Sequence, residues 1–208
     1  MSFTAHSPAA LDCIQFLHTI GRLKDTPRTG WVENQIPNVE SVSDHMYRMS
    51  LLCMMCPDET LDRNRMMRMA LCHDAGESII GDISPAMKVP AAEKHAKEMV
   101  AVAKLRDLAN ASSTATPVTG GAFGDELFSL FMEYEEQQTP ESKFVRDMDL
   151  LEMIVQAHSY EAMNPGKDLV SFFRSGARIK HPWARAIFET LESTRPFLKG
   201  SANKVPSE

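Results

Sequence analysis

Histidine and acidic residues stand at helical spacing inside an apolar stretch of the chain. His73, Asp74 and Glu77 occur in LCHDAGESIIGD, residues 71–82, where most other positions are small or apolar. On a helix, positions three or four apart lie on one face, so His73 and Glu77 are predicted neighbours with Asp74 one position round. A buried carboxylate without a partner is very costly, so such groups are normally paired, neutralised or bound to a metal ion. The stretch alone leaves these three possibilities open, and the rest of the chain must decide between them.

A second histidine and a later group of acids could complete a metal site. The helical neighbours of His45, Met49 and Cys53, are apolar, which favours an inward side chain. Two histidines with carboxylates form a mixed nitrogen and oxygen set that suits a divalent transition metal. The candidate closing carboxylates on the predicted helix at 140–163 are Asp147, Asp149 and Glu152. Each histidine alone is more typical of a satisfied core or surface residue, and only the joint order favours a metal site.

The elements that must position these residues are predicted to be helices. The apolar period is helical nearly everywhere, and no alternating strand pattern appears. Caps and breakers predict helices at about residues 8–21, 43–56, 62–81, 90–108, 125–137, 140–163 and 182–196. Ser43 and Asp62 are the predicted N-caps of the second and third helices. Residues 22–40 are predicted to be irregular and the glycine-rich segment 110–124 a flexible loop. The predicted fold class is all-α, a single helical-bundle domain.

Composition excludes several classes of function. The 208 residues suffice for one domain, and the formal net charge of −6 argues against a nucleic-acid polymer as partner. No apolar run is long enough to span a bilayer, and the N-terminus lacks the pattern of a secretory signal. The four cysteines are irregularly spaced and are expected to be buried free thiols, as in a cytoplasmic protein. The 14 methionines fall mostly at core spacing.

The order of the histidines and acids resembles a known family. H…HD…D is the signature of the HD-domain metal-dependent phosphohydrolases. The words LKDTPRTGWV, ESVSDHMYRMS, ALCHDAGESIIGDISPA and KFVRDMDLLEMIVQA resemble the eukaryotic HD-domain-containing 5'-deoxynucleotidases, which are relatives of the bacterial YfbR-type enzymes. The resemblance covers residues 10–195, with residues 1–9 as an N-terminal extension and 196–208 as a tail expected to be disordered.

The resemblance implies a role for each of several residues. The implied metal ligands are His45, His73, Asp74 and Asp149, where Asp149 is chosen over Asp147 by its KFV..MD context. Glu77 and Asp82 are implied to serve the reaction and to hold any further cation. The implied substrate contacts are Arg28, Trp31 and Lys88. Arg28 and Trp31 are separated here by two residues, whereas the bacterial enzymes have them adjacent. A planar guanidinium can hold two phosphate oxygens, and a flat indole can pack against a sugar or base.

The implied activity is that of a cytoplasmic, metal-dependent phosphomonoesterase. Its substrate would be a deoxyribonucleoside 5'-monophosphate, its cofactor a divalent cation (Mn, Co, Fe, Ni, Zn or Mg), and its assembly a homodimer. Deoxyribose is expected to be preferred over ribose, with Trp31 either as the wall beside the 2' carbon or as a core plug. The alternatives are an HD phosphohydrolase acting on another nucleotide and a non-catalytic regulatory HD module.

Overall fold

The computed structural model describes residues 7–112 and 122–198. Helices alone form its regular structure: α1 Pro8–Gly21, α2 Thr29–Glu33, α3 Val42–Met54, α4 Arg63–Ala70, α5 Glu77–Ile80, α6 Ala91–Ser112, α7 Phe123–Glu136, α8 Pro140–Met163, α9 Val170–Phe173 and α10 Pro182–Ser193. Short 3₁₀ turns lie at Arg22–Lys24, Pro85–Met87 and Arg174–Arg178. Over the described ranges the only β pairing is an isolated bridge between Pro27 and Ser41. The predicted all-α class is confirmed.

The long helix α8 forms the centre of the bundle. It packs against α3, α4, α7 and α10, while α1 lies along α6. Its face towards α3 and α4 includes Met148 and Leu151, which are fully buried, and Met49 and Met66 meet them in the core. These unbranched side chains fill irregular gaps, which is the role predicted for most of the methionines. Within the described part, no helix is long and apolar enough to cross a membrane.

Two predicted helix boundaries near the site are wrong. The N-cap of α3 is Ser41, not Ser43, because Ser41 and Asp44 form a reciprocal capping box that satisfies both backbone N–H groups. The predicted helix 62–81 ends at Ala70, and α5 begins only at Glu77. Between them the chain makes three-residue turns, with N–H groups bonded to the carbonyl three positions back, as from Glu77 to Asp74. Glu77 is therefore not one α-helical turn beyond His73.

Other elements also differ from the prediction. Helices α2 and α9 were not predicted from the sequence. Helix α6 extends to Ser112 and α7 begins at Phe123, so both ends of the predicted loop 110–124 are helical. The rest of that loop (113–121) lies outside the described residues, as do residues 1–6 of the predicted extension and 199–208 of the predicted tail. The proposed domain boundaries stay a prediction.

Candidate metal centre

His45 projects from α3 into the interior and is completely buried. Its Nδ1 hydrogen-bonds to the buried carboxylate of Glu152 on α8, which also accepts from Arg48. Because a carboxylate can only accept, Nδ1 carries the proton and Nε2 is left as a free donor of electrons. Burial and Arg28 lower the pKa of His45, but the carboxylates of Glu152 and Asp149 raise it by more, to about 9. A metal ion would thus compete with a proton for Nε2.

His73, in the turn after α4, has its ring fixed through Nδ1 in the same way as His45. Its Nδ1 donates to the carbonyl oxygen of Ala70 at 2.8 Å, which again leaves Nε2 free. The ring lies 5.4 Å from the His45 ring, and its residue is 4% exposed. Over the described ranges, the Nε2 atoms of His45 and His73 are buried without a hydrogen-bond partner. A cation bound between the two rings would give both nitrogen atoms a partner.

Two carboxylates surround these nitrogen atoms. Asp74 Oδ2 lies 3.1 Å from His73 Nε2 and 3.9 Å from His45 Nε2. Asp149 Oδ1 lies 3.4 Å from His45 Nε2. Donor atoms of His45, His73 and Asp74 all fall within 4.8 Å of one another. The structure therefore brings together all four residues proposed as metal ligands, and this nitrogen and oxygen set fits a divalent transition metal.

The structure separates Asp147 from Asp149, which helical periodicity could not do. The Asp147 carboxylate accepts from the backbone N–H groups of Lys180 and His181, at 2.9 and 2.6 Å. It therefore fastens the segment before α10. Asp149, which is on the same helix as Asp147, instead faces His45.

The side chains that orient the ligands were mostly missed by sequence reasoning. Tyr134 Oη donates to Asp149 Oδ2 at 2.7 Å, and Arg146 lies 3.2 Å from the same oxygen. Burial raises the pKa of Asp149, but the histidines and Arg146 hold it well below its ordinary value. Glu152 had a signal in the sequence, since it follows Asp149 by three positions on one helix face. No pattern in the sequence pointed to Tyr134.

Glu77 and Asp82 lie beside the cluster and line the same cavity. Glu77 is 4% exposed, and its Oε2 has no hydrogen-bond partner among the residues described. Burial, and then the charges of Asp74 and Asp82, raise the pKa of Glu77 well above its ordinary value. The Asp82 carboxylate accepts from the backbone N–H of Thr29 at 2.5 Å, which ties it to the start of α2.

Arg28 is the N-cap residue of α2, and its side chain extends to the cluster. Its Nη1 lies 3.3 Å from Asp74 Oδ2. Burial lowers the pKa of Arg28, but the surrounding acids, with Asp74 first, raise it further above its already high value. The guanidinium is permanently charged and lines a cavity of about 690 Å³ that also contains Asp74 and Glu77. An anion in this cavity would meet Arg28 and any cation held by the ligands.

The other two proposed substrate contacts occupy different environments. Trp31 lines the cavity but is only 2% exposed, and its indole N–H donates to Glu40 at 2.9 Å. Its ring lies 4.2 Å from that of Phe172, which is half-buried and also lines the cavity. Lys88 is exposed and follows the 3₁₀ turn Pro85–Met87, and within the described ranges it does not belong to the cavity wall.

Comparisons with known proteins agree with this geometry. The HD domain family profile matches residues 20–190. The human 5'-deoxynucleotidase HDDC2 is 40% identical over 99% of this chain and 96% of that protein. The 5'-deoxynucleotidase hdd1 of Schizosaccharomyces pombe is 41% identical, covering 88% of this chain and 92% of its own. The solved structure of the HD domain-containing protein YGK1, of Saccharomyces cerevisiae, superposes with a TM-score of 0.65 and 25% identity, covering 95% and 90% of the two chains. The predicted family is confirmed: this chain is a member of the HD domain family.

Proposed function

We propose that this protein is a metal-dependent 5'-deoxynucleotidase, which hydrolyses deoxyribonucleoside 5'-monophosphates to the deoxynucleoside and phosphate. The observation that carries the proposal is the position of Arg28 3.3 Å from Asp74, at the edge of a buried His and Asp cluster with unpartnered nitrogen atoms. Relatives named 5'-deoxynucleotidase that are about 40% identical over most of their length support it.

The proposed ligands of the cation are His45, His73, Asp74 and Asp149. When bound, a divalent cation lowers the pKa of a coordinated water and withdraws charge from a phosphoryl oxygen. The candidate cations are Mn, Co, Fe, Ni, Zn and Mg. The two histidine nitrogen atoms favour the transition metals among them.

The chain's own residues would divide the remaining work. Arg28 can bind two phosphate oxygens with its planar fork, and Asp74 3.3 Å away fixes its orientation. Glu77 is buried and its pKa is raised, so it can hold a proton beside the reacting phosphate or orient a water molecule. Asp82, fixed by Thr29, would assist Glu77 or hold a further cation with it. Trp31 would support the sugar side of the cavity. Lys88 lies outside the cavity wall in the described structure and is assigned no phosphate contact.

The experiment is a phosphate-release screen. Purified protein, stripped of metal, is offered deoxy- and ribonucleoside 5'-monophosphates with each candidate cation, and Asp74→Asn serves as the inactive control. We expect release from deoxyribonucleoside monophosphates only when a cation is present. Hydrolysis of cyclic or pyrophosphorylated nucleotides instead would favour the rival phosphohydrolase activity. No hydrolysis of any nucleotide with any cation would favour a non-catalytic regulatory module.

We also propose a homodimer. Apolar side chains that are half or more exposed lie at Tyr47 and Met54 of α3 and at its C-cap Met55, positions that share one side of the helix. Exposed apolar side chains grouped in this way commonly mark a contact between subunits. Sedimentation of the wild type and of Met54→Glu tests this, since a charge at a dimer contact should yield monomers.

The remaining proposals concern partners and location. The net charge of −6 argues against a nucleic-acid polymer as partner. The free thiols of Cys53, Cys56 and Cys72 are buried, which is typical of a protein from a reducing compartment such as the cytoplasm.

A further inference from the structure

A second cationic side chain lines the cavity beside the proposed metal ligands. Lys94 lies in the first turn of α6, where its backbone N–H donates to the carbonyl of Pro90 at 2.9 Å. The side chain is half-buried and shares the cavity wall with Asp74 and Glu77. Its Nζ lies 3.4 Å from Oε1 of Glu98, one helical turn further on, which keeps the ammonium group on this wall.

The ammonium group interacts electrostatically with the acids of the site. Burial lowers the pKa of Lys94, but neighbouring carboxylates raise it by more, so the group is charged at neutral pH. Those carboxylates are, in order of effect, Glu98, Asp74 and Glu77. In return, Arg28 and Lys94 are the cations whose charges lower the pKa of Glu77 against burial and its acidic neighbours.

Arg146 and Arg178 also line this cavity, and their surroundings differ from that of Lys94. Arg146 is bonded to Tyr134 and lies 3.2 Å from Asp149. Arg178 is exposed and sits on the 3₁₀ turn after α9. Lys88 is exposed, has a left-handed backbone (φ 54°), and is not part of the cavity wall in the described structure.

We infer that Lys94 binds the substrate phosphate together with Arg28, an inference that rests on the proposed function. The acids that line the cavity repel an incoming phosphate. The positive charges of one divalent cation and Arg28 are largely offset by these acids, so a further cationic side chain would favour phosphate binding. A lysine on a flexible stem is a common phosphate ligand, acting as a point charge. Glu98 holds the ammonium group in place when no anion is bound, and phosphate can compete for it because the Lys94–Glu98 pair is half-exposed.

The test compares three lysine substitutions in the Mn²⁺-loaded protein. Lys94→Met removes the proposed contact, and Lys88→Met removes the lysine suggested by sequence. Lys97→Met is the matched control, because Lys97 lies on the same helix, pairs with Glu93 at 2.7 Å and is outside this cavity. The readouts are KM and kcat for a deoxyribonucleoside monophosphate, and the affinity for inorganic phosphate by calorimetry. Melting temperature and metal content are recorded for each variant.

We expect Lys94→Met alone to weaken phosphate binding and raise KM together, each by about tenfold, as for loss of one charge-assisted hydrogen bond. The value of kcat should change less than about threefold, because the phosphate contact is present before and during the reaction. Lys94→Arg should restore part of the affinity.

The inference is overturned if phosphate affinity in Lys94→Met stays within about twofold of the wild type. It is equally overturned if Lys97→Met shows the same loss, or if Lys88→Met shows it in place of Lys94→Met. Calorimetry needs no turnover, so a wild type that hydrolyses no nucleotide would defeat the proposed function while the phosphate titration still decides the role of Lys94.

Discussion

The proposed metal ligands and the phosphate-facing wall of the cavity are held in place by different means. Each histidine ligand has its second ring nitrogen fixed by a buried acceptor: the carboxylate of Glu152 for His45 and the carbonyl of Ala70 for His73. The phosphate-facing wall includes Ile83, Ala91 and Lys94, and the Lys94 side chain, which is 39% exposed, is held by an ion pair with Glu98.

Contacts that the fold orients in advance are thus distinct from contacts that form only with the ligand. A cation needs several donors at fixed distances, so the ligands must be oriented before it binds, and buried bonds to each ligand provide this. A phosphate group can be bound by a flexible lysine, and the cost is the rotamer entropy that the lysine side chain loses on binding. Substitutions at the buried side should therefore have larger effects than those on the wall.

The largest effect is expected for Asp74→Ala. The loss of a direct ligand should abolish activity and lower metal affinity by more than the roughly 10- to 100-fold that a supporting contact contributes. Elemental analysis after dialysis and phosphate release measure the two effects. Asp147→Ala is the control, because that acid binds the backbone of Lys180 and His181. It should lower stability by about 1–3 kcal/mol with metal content unchanged. Full metal and normal turnover in Asp74→Ala would remove it from the site.

The next largest effect is expected at Glu77. Glu77→Gln keeps the shape of the side chain but cannot exchange a proton, so turnover should fall about 100-fold. Binding of the first cation and KM should change little, because Glu77 lies beside the ligands and is not one of the four proposed here. Loss of a second cation would show that Glu77 holds it. Single-turnover kinetics at matched metal content measures this. An unchanged rate would assign Glu77 to structure only.

A smaller effect is expected for Glu152→Gln. The amide can still accept from His45 Nδ1 but carries no charge, so metal affinity should fall about 10-fold or more. Glu161→Gln is matched to it, since Glu161 is also a buried glutamate of α8 and also bonds to an arginine, Arg195. That variant should lose stability and keep its metal affinity. Equal metal affinity in both variants would mean that the buried bond to His45 does not prepare the site.

The same contrast explains how much could be predicted from sequence. The proposed ligands were identifiable as candidates because their chemistry is set by residue type: two histidines and two aspartates in a family order on or beside helices. The path of the chain between them was not, since residues 71–76 form tight turns that depend on tertiary packing, although their composition is that of a helix.

The wall was harder to predict because its determinants are conformational. Lys88 is adjacent to the motif in sequence, but its backbone is left-handed (φ 54°) and it lies outside the cavity wall in the described structure. Lys94 approaches the acids only because α6 begins at Ala91 and directs its first turn into the cavity. Spacing along the sequence could not distinguish them. Similarly, Ser43 was the predicted N-cap of α3, but the backbone geometry places the capping box at Ser41 and Asp44.

The smallest effect concerns the sugar. An apolar surface beside the 2' carbon would leave a ribose hydroxyl desolvated at a cost of about 1–3 kcal/mol, so deoxyribose should be preferred by about 5- to 150-fold in kcat/KM. Trp31 and Phe172 both line the cavity and would supply such a surface, with Trp31 buried and Phe172 the more accessible of the two rings. We expect Phe172→Ala to reduce the preference about fivefold while stability changes little. Comparing deoxy- and ribonucleoside 5'-monophosphates in each protein measures it.

Trp31→Phe separates the two aromatic residues. It keeps a ring against Phe172 but removes the indole N–H donated to Glu40, which leaves a buried acceptor and should cost about 1–3 kcal/mol of stability. If Trp31 acts from behind Phe172, the sugar preference should be the same in this variant as in the wild type. A preference that falls in Trp31→Phe and not in Phe172→Ala would instead make the indole itself the wall. Equal wild-type rates on the two sugars would mean that neither ring discriminates, and that the cavity selects its substrate through the phosphate alone.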